Sequence, residues 1–230
     1  MNVAVLRFPG SNCDQDALHS LRDDVGVRAE YVWHEATTLA GFDAVFIPGG
    51  FSYGDYLRCG AMASRAPVLS EVARFASEGR PVIGVCNGFQ ILCEAGLLPG
   101  ALMQNGSEKF VCRRVHLKAE NTDSVWTSGI GDRVLAISVA HGEGRFTCDA
   151  ETLARIEGEG RVAFRYCGPG GEISTEHNPN GSVGAIAGVL NARGNVMGMM
   201  PHPERATRAL LGSTDGLAIL GALTRIEVPA

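Results

Sequence analysis

The first hundred residues alternate between short apolar runs and segments with helical periodicity, and this alternation limits the fold more than any other feature. Four runs have the length and the apolar or β-branched content of strands: Val3–Phe8, Arg28–Trp33, Ala44–Ile47 and Val82–Val85. Continuous apolar runs of this length are typical of strands buried on both faces. Strands that alternate with helices lie parallel and are joined by right-handed crossovers. The sequence therefore predicts an α/β fold with a doubly wound, mostly parallel open sheet and flanking helices.

Three helices are predicted around these strands. The first begins after Ser11 and Asn12, which are good N-cap residues, and ends at Gly26. The second ends at Gly79, and the third is Gly88–Leu97. Apolar residues recur at helical spacing in the first two helices: Ala17, Leu18, Leu21 and Val25, then Val68, Leu69, Val72, Phe75 and Ala76.

The second half of the chain has a different pattern, in which strand-like runs follow one another with little helix between them. These runs are Phe110–Leu117, Val134–Val139, Val162–Tyr166, Val183–Leu190 and Val196–Met200. We expect hairpins here, so that antiparallel strands extend the main sheet. A last helix is predicted near Ser213–Ile226. The 230 residues, 45% of them hydrophobic, suffice for one domain, and no linker-like stretch divides residues 1–230.

Charge and hydropathy argue against several classes of partner. The formal net charge is −5 and the basic residues are scattered, so binding to nucleic acid or to an anionic membrane surface is not expected. No apolar stretch approaches the roughly 20 residues that a membrane span needs. The first residues lack the basic and apolar regions of a secretion signal. We therefore expect a cytoplasmic protein.

The cysteines support the same location. There are seven, an odd number, and no C-x-x-C pair exists, so neither a zinc ribbon nor a thioredoxin-like redox site is expected. Reduced thiols in a cytosolic chain are the simplest interpretation, and most of them should be small buried hydrophobes. The cysteines are Cys13, Cys59, Cys86, Cys93, Cys112, Cys148 and Cys167.

One cysteine stands where a nucleophile would be expected. In open α/β sheets, ligands bind beyond the carboxyl ends of the strands, and Cys86 follows such an end, between Gly84 and Gly88. Small residues two before and two after a nucleophile permit a sharp strand-to-helix turn, as in G-x-S-x-G hydrolases. The turn would place the sulfur at a helix N-terminus, which favours thiolate, and would aim backbone N–H groups at a developing oxyanion. Alone, the motif fits a nucleophile and a core cysteine about equally well.

Two further segments complete a possible catalytic set. A thiol nucleophile needs a base, and His202 stands at another predicted strand end, between two prolines. Glu204 follows, where a carboxylate can fix the imidazole tautomer. The Gly49-Gly50 pair after a strand can turn a backbone N–H toward the reacting carbonyl. If each segment occurred alone, the histidine segment would be interpreted as an ordinary exposed turn and the glycine pair as a β-turn. Their joint occurrence with Cys86 favours catalysis.

Together these segments resemble the class I, or triad-type, glutamine amidotransferases in order and approximate spacing. Four longer segments narrow the resemblance to the glutaminase subunits of phosphoribosylformylglycinamidine synthases: Pro9–Asp14, Gly50–Gly60, Ala140–Gly144 and Gly198–Arg205. They are spread over nearly the whole chain, and the second of them is highly specific. The resemblance implies a flavodoxin-like amidotransferase fold.

The resemblance also implies a reaction and its partners. The chain would hydrolyse glutamine to glutamate and ammonia. A large partner subunit would use ATP and Mg to activate formylglycinamide ribonucleotide, and the ammonia would convert it to formylglycinamidine ribonucleotide in purine biosynthesis. A small bridging subunit is usual in such complexes. No cofactor or metal is expected in this chain, which has no G-x-x-x-x-G-K-[ST] loop.

Residue by residue, the resemblance assigns the nucleophile to Cys86, the general acid and base to His202, and the orienting carboxylate to Glu204. The N–H groups of Asn87 and Gly50 match the oxyanion hole. Substrate binding is assigned to Gln90, His141, Gly142 and Glu143.

Two alternatives remain at this level. Another cysteine hydrolase, such as a peptidase, could share the fold and the cysteine turn, but it would not be expected to carry Gln90 together with the Pro-His-Pro-Glu segment. The second alternative is a non-catalytic module that only regulates a partner. The intact Cys86, His202 and Glu204 argue against it.

Overall fold

The computed structural model describes residues 1–225, and its centre is a nine-stranded sheet. The strands of these residues are β1 (Asn2–Arg7), β2 (Arg28–Trp33), β3 (Ala44–Ile47), β4 (Val82–Val85), β5 (Ala101–Met103), β6 (Val111–Ala119), β7 (Val134–His141), β8 (Arg145–Thr147), β9 (Val162–Cys167), β10 (Ile186–Leu190) and β11 (Val196–Met199). The order across the main sheet is β2-β1-β3-β4-β11-β10-β9-β6-β7, and β5 pairs with β8 in a separate two-stranded sheet. The helices are α1 (Asp14–His19), continued by a π-helical segment over Ser20–Val25, then α2 (Pro67–Ser77), α3 (Asn87–Glu94), α4 (Ala150–Gly158) and α5 (Gly216–Leu220).

One half of the sheet is parallel. β1 pairs with β2 and β3, β3 with β4, and β4 with β11, all in parallel. Every residue of β3, β4 and β11 is buried, as expected of central strands that are covered on both faces. The predicted α/β fold is confirmed. Because the carboxyl ends of β1, β3, β4 and β11 lie at one edge, the loops that follow them meet there.

The other half of the sheet is antiparallel, which confirms the predicted extension. β10 pairs with β11 and β9, and β6 pairs with β9 and β7. Buried and half-exposed residues alternate along β7, as is typical of a strand with one solvated face. The two halves are joined through β11, which is parallel to β4 and antiparallel to β10.

The expectation of little helix in the second half is wrong for α4. Within residues 150–158, Ile156 alone is buried and Leu153 packs partly buried against the core, so the apolar stripe of this helix is narrow and gives only a weak helical signal in the sequence. Its start does carry a signal, because the Asp149 side chain accepts a hydrogen bond from the Thr152 N–H at 2.7 Å. The strands β5 and β8 are also absent from the prediction, since three residues are too few to show a period.

Other predicted elements differ at their ends. The predicted strand Val183–Leu190 begins with a 3₁₀ turn over Val183–Ala185 and becomes a strand only at Ile186. The predicted last helix, Ser213–Ile226, is shortened to α5 and a 3₁₀ turn over Gly221–Thr224, and Ile226 lies outside the described residues. Glycines in this stretch lower its helix propensity. None of the helices in residues 1–225 has both the length and the apolar character needed to cross a membrane.

Buried contacts pack the two halves of the fold together at both ends of the parallel strands. Phe89 on α3 stacks on Phe146 of β8, with ring centroids 6.0 Å apart. Trp126 is completely buried and donates from Nε1 to the Asn195 carbonyl at 2.9 Å, immediately before β11. The helix after β4 and the start of β11 are therefore both held against the second half of the chain.

Candidate active site

Cys86 lies in a sharp turn between β4 and α3. Its backbone has φ 52° and ψ −107°, outside the regions that non-glycine residues prefer, and α3 begins at the next residue. Gly84 and Gly88 make the turn possible. A Cβ on Gly84 would lie 2.6 Å from the Gly88 carbonyl oxygen, and one on Gly88 would overlap the Ile47 carbonyl oxygen. Both positions thus need glycine because a side chain would collide with the backbone, as predicted from the sequence.

The turn holds the Cys86 side chain at the N-terminal end of α3, where it is 6% exposed. The first N–H groups of a helix have no acceptor within the helix, and their partial positive charge favours a thiolate. The Cys86 thiol faces the end of β7, with its sulfur 3.8 Å from the Ala140 carbonyl oxygen. Cys86 therefore lies between the parallel half, which carries it, and the antiparallel half, which faces it.

His202 and Glu204 follow β11, the strand beside β4. His202 Nδ1 lies 2.6 Å from Glu204 Oε1, and both side chains are almost completely buried. The His202 N–H donates to the Ser138 carbonyl at 2.9 Å, which ties its backbone to β7. Because Nδ1 is bound to the carboxylate, Nε2 is the nitrogen left for chemistry. It is buried and has no hydrogen-bond partner among residues 1–225.

Burial and neighbouring charges compete to set the pKa of His202. Burial lowers it, but the negative charges of Glu204 and of a Cys86 thiolate raise it, and its pKa lies well above the ordinary histidine value. The imidazole can therefore hold a proton beside the sulfur. An imidazolium between a carboxylate and a thiolate is an arrangement that activates a cysteine nucleophile.

The Gly49-Gly50 turn after β3 closes a third side of the site. A Cβ on Gly49 would lie 2.8 Å from His202 Cε1 and 3.3 Å from Cys86 Cβ, so only glycine lets these side chains approach. Gly50 has φ 138°, and a Cβ there would lie 2.7 Å from the Asn12 backbone nitrogen. The turn thus needs glycine at both positions, and it brings the Gly50 backbone to the pocket.

A pocket of about 320 Å³ lies over the nucleophile. It brings together seven of the nine predicted site residues: Gly50, Cys86, Gln90, His141, Gly142, Glu143 and His202. The other two do not line the pocket. Glu204 is bonded to His202, and Asn87 is the buried first residue of α3. The location of the nine residues is thus established, while the role of each one stays a prediction.

Gln90 lines the pocket, but both ends of its amide are engaged within the protein. Its Nε2 donates to the Glu143 carbonyl at 2.7 Å, and its Oε1 accepts from Asn87 Nδ2 at 2.9 Å. The Asn87 side chain in turn accepts from the Ser52 N–H at 3.2 Å. Gln90 therefore joins α3 to the opposite wall, and a bond to substrate would use the remaining proton or lone pair of its amide.

His141 is part of the opposite wall and is neutral at pH 7. Burial, together with the charge of His202, lowers the pKa of His141 to about 4. Its Nδ1 lies 3.0 Å from Asn105 Oδ1, which also accepts from the Gly144 N–H at 3.0 Å. Gly144 must be glycine, because a Cβ there would overlap the His141 ring. A neutral, packed imidazole shapes the pocket without competing with His202 for a proton.

A second thiol beside the base is missing from the predicted site. Cys13 is buried, and its sulfur lies within 4.8 Å of donor atoms of His202 and Glu204. Arg205 donates from Nη2 to this sulfur at 3.2 Å and from Nε to Asp16 at 2.9 Å. The carboxylate and imidazole are close because they bond each other, so their closeness gives no indication of a metal. Cys13 and Arg205 belong to segments that carry the family resemblance, and this signal could have identified them.

Six other lining residues are also missing from the prediction, among them Asn12, which precedes α1, and Ala140 in β7. Phe51, Asp55 and Cys59 belong to one loop after Gly50, and Phe110 precedes β6. Residues in a loop have no periodicity that would show which way their side chains point. The loop does lie in the segment Gly50–Gly60, which carries the family resemblance, and this resemblance could have identified its residues as part of the site.

Comparison with known proteins agrees with this geometry. Residues 1–215 match the model of the CobB/CobQ-like glutamine amidotransferase domain. A phosphoribosylformylglycinamidine synthase subunit PurQ from Rhodopseudomonas palustris (strain HaA2) is 54% identical over 225 residues, which are 97% of each chain. A subunit of the same name from Thermus thermophilus is 55% identical over 226 residues, which are 98% of each chain.

A solved structure supports the same relationship. The structure of PurLQS from Thermotoga maritima contains a chain with 42% sequence identity and a TM-score of 0.86, and the match covers 97% of both chains. The elbow cysteine, the histidine–carboxylate pair and the glycine turn are the parts that the resemblance to triad-type amidotransferases requires. The chain belongs to the CobB/CobQ-like glutamine amidotransferases and, within them, to the glutaminase subunits of phosphoribosylformylglycinamidine synthase.

Proposed function

We propose that Cys86 carries out the glutaminase reaction of this subunit through a thioester, with His202 as acid and base. The observation that carries the proposal is that Cys86 and His202 line the same pocket. His202 Nδ1 is held by Glu204 Oε1 at 2.6 Å. A nucleophile, a neighbouring base and a carboxylate that orients the base are the groups that nucleophilic catalysis uses.

In the first half of the reaction, the Cys86 thiolate attacks the side-chain amide carbon of glutamine. The carbonyl oxygen becomes an oxyanion, and the N–H groups of Asn87 and Gly50 bind it. His202 passes its Nε2 proton to the amide nitrogen, the C–N bond breaks, and ammonia leaves. Cys86 then carries a glutamyl thioester.

In the second half, a water molecule takes the place of ammonia. Neutral His202 removes a proton from the water, and the resulting hydroxide attacks the thioester carbon. The C–S bond breaks, glutamate leaves, and the thiolate–imidazolium pair forms again. Glu204 contributes throughout by holding Nδ1, so that Nε2 always faces the reacting atoms.

The ammonia serves a synthase. The relatives are synthase subunits, and the Thermotoga maritima structure is of PurLQS. We propose that a large partner subunit uses ATP and Mg to activate formylglycinamide ribonucleotide, that a small subunit bridges the two, and that this chain needs no cofactor of its own. The cytoplasmic location stays a prediction, with which the seven free cysteines are consistent.

The test is a change of Cys86→Ala in the assembled synthase complex. Glutamine-dependent synthesis should fall by on the order of 10⁴-fold or more, because no thioester can form. Synthesis from added ammonium salts should continue at the wild-type rate, since the synthase site is untouched. The measurement is formation of formylglycinamidine ribonucleotide with each nitrogen source. Undiminished glutamine-dependent turnover would contradict the assignment of Cys86.

The same assay separates the glutaminase from a peptidase. The wild-type complex should release glutamate from free glutamine and not from glutamine within a peptide. Cleavage of peptides at a comparable rate would favour the alternative cysteine hydrolase.

A further inference from the structure

The loop 51–59, which lies between the glycine turn and α2, has an unusual backbone. Tyr53, Gly54, Asp55 and Leu57 have φ of 54°, 66°, 55° and 69°. Three of these residues are not glycine, and each such residue costs on the order of 1 kcal/mol or more. A loop keeps such a backbone only when its surroundings enforce it, and such loops are found most often at functional sites.

The surroundings of the loop do enforce its shape. The Tyr53 N–H donates to the Pro9 carbonyl at 2.6 Å, and the Tyr53 hydroxyl lies 2.8 Å from His34 Nδ1. The Ser52 N–H donates to the Asn87 side chain at 3.2 Å, which links the loop to the catalytic elbow. The loop is therefore a fixed part of the site.

The strained part of the loop brings a carboxylate to the pocket. Asp55 lines the same pocket as Cys86, and its Oδ1 is buried without a hydrogen-bond partner among residues 1–225. Glu143, on the opposite wall, lines the pocket too. Burial raises the pKa of Asp55, the neighbouring Cys59 thiol lowers it, and the charge of Glu143 raises it, so that the net shift is upward. Two carboxyl groups that interact through their charges thus line the cavity.

The nearby cations are engaged elsewhere. Arg58, in the same loop, forms an ion pair with Glu94 of α3. Arg205, on the other side of the pocket, is bonded to Asp16 and to the Cys13 sulfur. A cationic group that enters the pocket would therefore find the charges of Asp55 and Glu143 available. Charge-assisted hydrogen bonds to such a group are among the stronger ones in proteins.

We infer that Asp55, assisted by Glu143, binds the α-ammonium group of glutamine while the side-chain amide reaches Cys86. The inference rests on the proposed function. Glutamine carries its only cationic group on the α-carbon, at the end opposite the amide and beside the α-carboxylate, so the acidic side chains of the pocket suit the ammonium group of that end. Asp55 would then distinguish a free amino acid from an otherwise identical amide without the α-ammonium group.

The test compares Asp55→Asn with the wild type in the assembled complex. Asparagine has the same shape and tolerates the positive φ of this position, so the change removes the charge and leaves the loop. Two substrates are used, glutamine and its des-amino analogue 4-carbamoylbutanoate. Asp55→Asn should lower kcat/KM for glutamine by about 10- to 100-fold, mainly through KM. For the analogue, Asp55→Asn should not lower kcat/KM, because the analogue has no ammonium group that could lose its partner.

A second readout needs no turnover of the analogue. Cys86 is alkylated either by a chloroketone analogue of glutamine that keeps the α-ammonium group or by neutral iodoacetamide. Asp55→Asn should slow only the first reaction, by about 10- to 100-fold. Equal slowing of both reactions, or of neither, would overturn the inference. Glu143→Gln should also slow the first reaction and not the second, by a smaller factor than Asp55→Asn.

Two controls separate the possible failures. Arg58→Gln disturbs the same loop through its link to Glu94 but keeps the carboxylate, so the ratio of kcat/KM between the two substrates should stay at the wild-type value. A collapse of that ratio in Arg58→Gln would assign the effect to loop geometry. Ammonium-dependent synthesis reports assembly in every variant. Failure of the Cys86→Ala test would refute the glutaminase assignment itself, whereas failure here leaves that assignment intact.

Discussion

At the scale of single residues, the site depends on charges that are buried as a group. His202 and Glu204 are about 1% and 2% exposed, and Cys86 lies beside them. Isolated buried charges are strongly unfavourable, and a bonded set is tolerated because each charge stabilises the next. The same coupling makes the protonation of His202 depend on the carboxylate.

Replacement of Glu204 by glutamine should reduce stability in a pH-dependent way. The folded-state pKa of His202 is raised, so protonated His202 stabilises the fold fully below about pH 6.5, and this contribution is lost as pH rises through the folded-state pKa. Glu204→Gln removes the largest cause that raises the pKa. We expect a loss of about 3–5 kcal/mol at pH 6 and a smaller loss at pH 9. Urea unfolding at the two pH values measures this.

A matched control is Glu172→Gln. Glu172 also faces a histidine, His177, at 3.1 Å, but both side chains have solvent access. The variant should unfold like the wild type at both pH values, since exposed pairs contribute little. A deficit in Glu204→Gln that is the same at pH 6 and pH 9 would refute the coupling.

At the scale of elements, the junction of β4 and α3 is the critical construction. The strand is buried, the turn is strained at Cys86, and the helix starts at once, so the sulfur is presented by backbone geometry. The close approach of Gly88 to the Ile47 carbonyl packs the helix start against β3. Cys86 and the Gly49-Gly50 turn thereby follow adjacent strands and lie beside each other.

A methyl group at Gly88 should damage this junction. Gly88→Ala places a Cβ on the Ile47 carbonyl, and the required backbone shift should cost about 1–3 kcal/mol or more and reduce glutaminase activity strongly. Thermal unfolding and steady-state rates measure the two effects. Gly158→Ala is the control, because nothing lies within 4 Å of its added Cβ at the end of α4. It should be neutral or slightly stabilising. Identical behaviour of the two variants would exclude the steric account.

At the scale of the whole molecule, the pocket is shared between the two halves of the sheet. The parallel half carries Cys86 and the Gly50 turn, and the end of β7 in the antiparallel half supplies the opposite wall. Asn105 holds that wall. Its Nδ2 donates to the carbonyls of Lys109 and His141 at 2.8 and 2.9 Å. The antiparallel extension is thus a functional part of the site.

Asn105→Ala should therefore affect both stability and substrate binding. Each buried group left unpaired should cost about 1–3 kcal/mol, and the displaced wall should raise KM for glutamine. Asn121→Ala is the matched control, because Asn121 also makes side-chain bonds to backbone groups, including one to the Gly160 carbonyl at 2.6 Å, but does not line the pocket. It should lower the unfolding temperature without changing KM. An unchanged KM in Asn105→Ala would show that the wall is not needed for binding.

Much of the fold and of the candidate site could be predicted because it depends on local sequence patterns. Continuous apolar runs predict the buried strands β1, β3 and β4, and the spacing of the glycines predicts the sharp turn at Cys86. α4 could not be predicted in this way, because most of its residues face solvent and tertiary contacts at Ile156 support it.

The sequence by itself determined the α/β class and identified Cys86, His202 and Glu204 as the candidate nucleophile, base and carboxylate, since each of these features depends on residues that are close together in the chain. Only the tertiary structure decided which loop residues complete the pocket. Cys13, Asp55 and Arg205 are far apart in sequence, and a loop side chain has no period that fixes its direction. Their convergence on Cys86 follows from the strand order, which places the ends of β1, β3, β4 and β11 at one edge of the sheet.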